Sequence, residues 1–87
     1  MDPQLYIFSP ENVLRQMETA EYKQGYYILH FYVDERGMPA RYPTGRTAIF
    51  YLSPSGGILR DSSFNIVLYS PKFDAHKGYG RLNEAEE

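Results

Sequence analysis

Stretches of aromatic and β-branched residues, separated by turn sequences, constrain this fold more than any other feature of the chain. The strongest stretch covers residues 26–33 and ends at residues 34–37, a turn with glycine where a left-handed backbone is favourable. Two further strands are predicted at residues 46–53 and 64–70. Short turns between such strands favour antiparallel pairing, so the sequence predicts a mainly antiparallel sheet.

Three shorter segments are predicted to add to this sheet. Residues 5–8 form an apolar run typical of a strand, and residues 58–60 are predicted to be a brief returning arm after a turn at residues 54–57. Residues 38–42 are predicted to form a short edge strand, because Pro39 has no N–H to donate on an inner side. After a further turn at residues 43–45, the expected total is about four to five strands.

One helix is predicted near the start of the chain, from Pro10 to about Tyr22. Ser9 can accept a hydrogen bond from a backbone N–H of the first turn, proline suits that turn, and Gly25 is a plausible stop. Its apolar side collects Val13, Leu14, Met17 and Ala20. The predicted fold is therefore α+β: a twisted, mainly antiparallel sheet with one N-terminal amphipathic helix packed on one face.

The length and composition predict a single folded domain. With 87 residues and a hydrophobic share of 43%, the chain can build one core, which we assign to residues 1–72; residues 73–87 are predicted to be a mobile tail. Because the chain has no cysteine, disulfides and thiolate chemistry are excluded. No apolar run is long enough to span a bilayer and no signal-peptide pattern is visible, so a cytoplasmic location is expected.

Alternation splits the strand residues between two faces of the sheet. The first face is almost purely hydrocarbon and is predicted to be buried under the helix. It collects Tyr27, Leu29, Phe31, Val33, Ala48, Phe50, Leu52, Phe64, Ile66 and Leu68.

The second face is amphipathic and rich in tyrosine, whose ring buries apolar area while its hydroxyl keeps a polar contact. It collects Tyr26, Ile28, His30, Tyr32, Thr47, Ile49, Tyr51, Asn65, Val67 and Tyr69. Two interpretations stay open. The face is either an interface, since no second helix is available to cover it, or ordinary core covered by flanking segments. The candidate covering residues are Leu5, Phe8, Met38 and Phe73.

Catalytic and metal-binding patterns are weak. His30 is predicted to lie in a strand without an acidic residue at ligand spacing, and His76 with Asp74 supplies too few ligands for zinc. The serines at positions 53, 55, 62 and 63 lie in predicted turns and match no nucleophile motif. We therefore expect no enzyme activity, metal or cofactor.

The function predicted from these features is a small non-catalytic protein-binding module, such as an inhibitor, a regulator or an accessory subunit of the kind that viruses and mobile elements encode. The expected partner is another protein or, in a homodimer, a second copy of the chain. The predicted protein-binding residues are Tyr26, Ile28, His30, Tyr32, Ile49, Tyr51, Val67 and Tyr69.

Nucleic-acid binding is the alternative function. The net charge is -2, yet residues 36–60 carry four arginines and no acidic residue. Arg36, Arg41, Arg46 and Arg60 could gather on loops at one end of the sheet, beside tyrosines that offer stacking surfaces for bases. Against this interpretation stand the negative total charge and the few cations within the strands.

Overall fold

The computed structural model describes residues 3–53 and 57–69, which contain one α-helix and a five-stranded antiparallel sheet. The helix α1 is Pro10–Met17 and is preceded by a 3-10 helix at Pro3–Tyr6. The strands are β1 Tyr22–Lys23, β2 Tyr26–Tyr32, β3 Thr47–Ser53, β4 Ile58–Arg60 and β5 Ile66–Tyr69, and they lie in the sheet in that order. The predicted α+β class is confirmed.

The start of α1 follows the predicted capping chemistry, but its end does not. The Ser9 hydroxyl accepts a hydrogen bond from the Asn12 backbone N–H at 3.1 Å. The helix stops at Met17, so its predicted extension to Tyr22 is wrong. Gln24 and Gly25 both have positive φ, 54° and 87°, as the central residues of a type I′ hairpin turn require. Gly25 therefore serves the hairpin between β1 and β2 instead of ending a helix.

The segment before α1 is a 3-10 helix, which corrects the strand predicted at residues 5–8. The buried side chain of Asn12 holds this segment, since its Nδ2 atom donates to the Gln4 carbonyl at 2.9 Å and to the Ile7 carbonyl at 2.7 Å. Phe8 is buried, and its backbone N–H donates to the carbonyl of Ala40. A four-residue apolar run could not reveal these partners, because they lie elsewhere in the chain.

The outer edge of β2 is closed by three different partners. β1 pairs with its first residues, through Tyr22 with Tyr27 and Lys23 with Tyr26. At the centre, the buried Gln16 side chain takes the place of a strand: its Oε1 accepts from the His30 N–H at 2.8 Å and its Nε2 donates to the His30 carbonyl at 2.6 Å.

Beyond His30, the Ala40 N–H donates to the Tyr32 carbonyl at 2.8 Å. The edge strand predicted at residues 38–42 is reduced to a single bridge between Val33 and Pro39. The turn at residues 34–37 is confirmed, with Gly37 at φ 81°.

The core confirms the predicted alternation in β2 and β3. Leu29 pairs with Phe50 across the two strands, and Tyr27 pairs with Leu52. α1 contributes Val13, which is fully buried, while Leu14 and Met17 pack against the cluster. The buried cluster comprises Phe8, Val13, Leu29, Phe31, Val33, Phe50, Leu52 and Leu59.

The predicted alternation fails in β5, because the pairing with β4 contains a bulge. Leu59 pairs with Leu68 and Arg60 pairs with Ile66, so Val67 is an extra residue on β5. As a result, Val67 and Leu68 both pack against the core. Ile66, which was predicted on the buried face, is 55% exposed, and Phe64 is exposed as well.

Some predictions fall outside the described residues. The turn at 54–57 is described only at Gly57, and the tail at 73–87, with Phe73 and His76, is not described. Within the described part of the chain, no helix is both long and apolar enough to cross a membrane.

Replacing Gln16 by Met should lower the free energy of unfolding by about 1–3 kcal/mol, because the substitution keeps the side-chain length but leaves the His30 N–H and carbonyl without their partner. Chemical denaturation measures this change. Arg15→Met, at the neighbouring exposed helix position, is the matched control and should change stability by less than about 0.5 kcal/mol. Equal losses in the two variants would contradict the role assigned to the Gln16 amide.

Candidate protein-binding surface

The register between β2 and β3 brings most of the predicted binding residues together. Ile28 pairs with Tyr51, His30 with Ile49 and Tyr32 with Thr47, and alternation sends all these side chains to the side opposite Leu29 and Phe50. We call this surface the tyrosine-rich face. It comprises Tyr26, Ile28, His30, Tyr32, Thr47, Ile49 and Tyr51.

Tyr6 partly covers one end of the tyrosine-rich face. Its ring centroid lies 6.4 Å from that of His30 and 6.1 Å from that of Tyr32, and the two tyrosines meet edge to face. Asn12 positions Tyr6 indirectly, because it holds the carbonyls of Gln4 and Ile7 on either side. Tyr6 was not predicted to be part of the site, since residues 5–8 were expected to form a strand.

Phe64 partly covers the other end of the tyrosine-rich face. Its ring lies 5.1 Å from that of Tyr26 and 5.8 Å from that of Tyr51, centroid to centroid. The Arg60 guanidinium stacks on the same ring, with Cζ 4.5 Å from the centroid, and its Nη1 donates to the Phe64 carbonyl at 2.9 Å. The Nε of Arg60 is buried and has no hydrogen-bond partner among the described residues.

The turn that presents Phe64 is organised by Asp61. The carboxylate oxygen Oδ1 of Asp61 accepts hydrogen bonds from the backbone N–H groups of Ser63 at 3.0 Å and Asn65 at 2.9 Å. The Phe64 N–H donates to the Asp61 carbonyl, and Phe64 itself adopts a positive φ of 69°. The exposed position of Phe64 therefore follows from the turn, and its predicted place within a regular strand is wrong.

The centre of the tyrosine-rich face stays open in the described part of the chain. Ile49 is 39% exposed, His30 is exposed, and Ile28 is half-buried. Of the covering residues considered from sequence, Phe8 lies in the core against Phe31, with ring centroids 5.1 Å apart. Leu5 lines a pocket together with Ile28 and His30, and Phe73 lies outside the described residues. The face is thus bordered by fixed aromatic rings and apolar at its centre.

The two predicted binding residues in β5 differ in where they lie. Val67 packs against the core because of the bulge in β5. Tyr69 pairs with Ile58, and Ile58 pairs with Ser53, two residues from Tyr51 in β3. The register therefore places Tyr69 on the same side of the sheet as the tyrosine-rich face, at the β5 edge, where it is 51% exposed.

The arginines of the alternative prediction do not all come together. Arg36, Arg41 and Arg46 are exposed in the segment between β2 and β3. Arg60 instead lies in β4 opposite Tyr51, four residues along β3 from its start at Thr47. Arg46 is tied to the neighbouring turn, since its Nη2 donates to the Asp34 carbonyl at 2.6 Å.

Asp34 places a negative charge among these loop arginines. Hydrogen bonds from the backbone N–H groups of Met38 and Arg36 to its carboxylate, at 3.0 and 2.9 Å, lower the pKa of Asp34, and the positive charges of Arg36 and Arg46 add to this effect against a smaller opposing effect of burial. The carboxylate is therefore ionised at neutral pH and offsets part of the local positive charge.

The described residues contain no group of three or more histidines, aspartates and glutamates that could hold a metal ion. Comparisons of the chain with known protein families, with curated proteins and with solved structures found no match.

Asp34 should make the stability of the turn depend on pH. A lowered pKa means that the ionised carboxylate favours the folded state above the ordinary aspartate pKa of about 3.9, and that this contribution is lost as the pH falls through the lower value of the folded protein. The free energy of unfolding should therefore differ most between the wild type and Asp34→Asn above about pH 4 and should converge below it. Denaturant unfolding at a series of pH values measures the difference. Parallel curves for the two proteins would contradict the assignment.

Proposed function

We propose that this chain is a non-catalytic protein-binding module that acts as a regulator, an inhibitor or an accessory subunit, and that the tyrosine-rich face is its binding surface. The observation that carries the proposal is the open apolar centre at Ile49, which lies on a face bordered by the rings of Tyr6 and Phe64. Apolar surface framed by aromatic rings is typical of the centre of protein interfaces. A cytoplasmic location remains the expectation from the sequence.

The aromatic residues of this face are held in place before any partner binds. Tyr32 is held against Tyr6, and Tyr26 against Phe64, in edge-to-face contacts. Ordering side chains at an interface costs about 0.5–1.5 kcal/mol each, and rings that are already fixed avoid most of that cost. The hydroxyls of tyrosine can in addition form hydrogen bonds at the rim of the contact.

The backbone hydrogen-bonding groups of β2 are paired within the chain, so a partner at this face does not bind through them. Backbone groups of β2 are used within the chain, by β3 on one side and by β1, Gln16 and Ala40 on the other. Binding is therefore expected to involve side chains, with Ile49 and Ile28 at the centre of the contact and tyrosines around them.

The substitution Ile49→Asp should abolish capture of the partner, because it places an ionised carboxylate at the apolar centre of the contact. The measurement compares the proteins retained from a lysate of the source organism by immobilised wild type and by the variant. Tyr42→Asp is the matched control: Tyr42 is 58% exposed and lies in the segment between β2 and β3, outside the tyrosine-rich face, so this variant should retain the partner.

Circular dichroism should show the same folded state for all three proteins, since both substituted positions are exposed. Retention of the same partner by Ile49→Asp would exclude the tyrosine-rich face as the binding surface. Unfolding of that variant would show that the face belongs to the core.

Nucleic-acid binding would give a different pattern in the same experiment. Capture would weaken steeply with salt, and replacement of Arg36, Arg41, Arg46 and Arg60 by alanine would abolish it, whereas Ile49→Asp would have little effect. The structure gives this alternative less support, because Asp34 lies among the loop arginines and Arg60 stacks on Phe64.

A further inference from the structure

The two edges of the sheet differ in how their backbone groups are protected. On the β2 side, β1 is only two residues long and lies between Glu21 and Gln24, and the rest of the β2 edge is occupied by Gln16 and Ala40. Short, charged and covered edges are how proteins prevent edge-to-edge pairing.

The β5 edge is protected less completely than the β2 edge, although β5 is itself short, at four residues, and its pairing with β4 contains a bulge. Among the described residues, β5 pairs with β4 only, on one side. Residues 62–71 contain no charged side chain, and within them residues 64–69 have the aromatic and β-branched composition of a segment that pairs readily with another strand. Ile66 and Tyr69, at the two ends of β5, are more than half exposed. An uncovered edge of this kind is a template for a further strand.

We propose that β5 pairs antiparallel with β5 of a second copy of this chain, so that the two five-stranded sheets form one continuous sheet. The proposal does not rest on the function proposed above, because it concerns the edge of the sheet and not the tyrosine-rich face.

The bulge makes β5 complementary to itself. Arg60 and Ile58 lie two residues apart in β4 and so point to the same side, and their partners Ile66 and Tyr69 therefore share that side. A two-fold axis that passes between Val67 and Leu68 then places Ile66 of each copy opposite Tyr69 of the other copy, so this pair occurs twice. Pairs of a β-branched with an aromatic residue are among the favourable cross-strand pairs.

In the same register, the core-facing side of one sheet continues into the core-facing side of the other. Val67 lies opposite Leu68 of the second copy, and both residues point towards the core side in each chain. No like charges meet at the axis, because the central segment is uncharged. An isologous contact of this kind closes after two copies and leaves no further β5 edge available.

The symmetry also fixes how the two tyrosine-rich faces are arranged. A two-fold axis that relates antiparallel neighbouring strands is perpendicular to the sheet, so both chains present the same face on the same side. The dimer would therefore display two copies of the tyrosine-rich face side by side.

Two double variants with the same positions changed provide the test. In Ile66→Glu with Tyr69→Glu, like charges oppose each other across the proposed axis, and sedimentation velocity of the full chain should show dimerisation weakened by about tenfold or more. In Ile66→Glu with Tyr69→Lys, opposite charges meet at the same places, and the dimer should persist. In both double variants, the glutamate at position 66 lies opposite Arg60 of the same chain, so the substitution places no like charges opposite each other within one chain.

Tyr42→Asp, at an exposed position in the segment between β2 and β3, is the control away from both the edge and the tyrosine-rich face and should leave the dimer intact. Loss of the dimer in this variant, or equal dimerisation of the two double variants, would overturn the proposal. A wild-type chain that stays monomeric would overturn it as well, whether or not another part of the same chain covers the edge.

Discussion

The pairing of the Gln16 amide with the backbone of His30 joins the N-terminal part of this domain to its sheet. An amide side chain offers one donor and one acceptor, as a peptide group does, so it can complete a strand edge where no strand is available. Gln16 lies in the last turns of α1, and the fixed position of that helix carries Val13 into the core. The Nε2 atom of Gln16 also donates to the Leu5 carbonyl at 3.1 Å, which attaches the 3-10 helix to the same side chain. Tyr6 consequently reaches His30 and Tyr32 on the opposite side of the sheet.

The part of the fold that local sequence determines was predictable. Alternation in β2 and β3 gave the correct division between Phe50 in the core and Ile49 on the open face, and the serine cap gave the correct start of α1. The wrong predictions concern segments whose structure depends on residues elsewhere in the chain. The 3-10 helix depends on Asn12 and the end of α1 on a hairpin that uses Gly25.

The candidate surface was likewise predictable only in part. Its central residues followed from alternation alone, because β2 and β3 are long and regular. The bordering rings of Tyr6 and Phe64 did not, since each reaches the face from an irregular segment. Val67 was misplaced because a bulge is a property of the pairing between two strands, and a single strand's sequence does not reveal it.

The order of the strands has a consequence for how this chain reaches its structure. Every strand of the described sheet pairs with the strand next to it in sequence, so the sheet contains no crossover. The β1–β2 pairing closes a short stretch of chain, whereas the β2–β3 pairing joins residues as far apart as Tyr27 and Leu52, and pairings between distant residues form more slowly. The Gln24–Gly25 turn allows the β1–β2 hairpin to form within microseconds by local search. The attachment of α1 at His30 spans 14 residues, fewer than separate any paired residues of β2 and β3, such as Tyr32 and Thr47. By the cost of loop closure, α1 can therefore dock on β2 before β3 is in place.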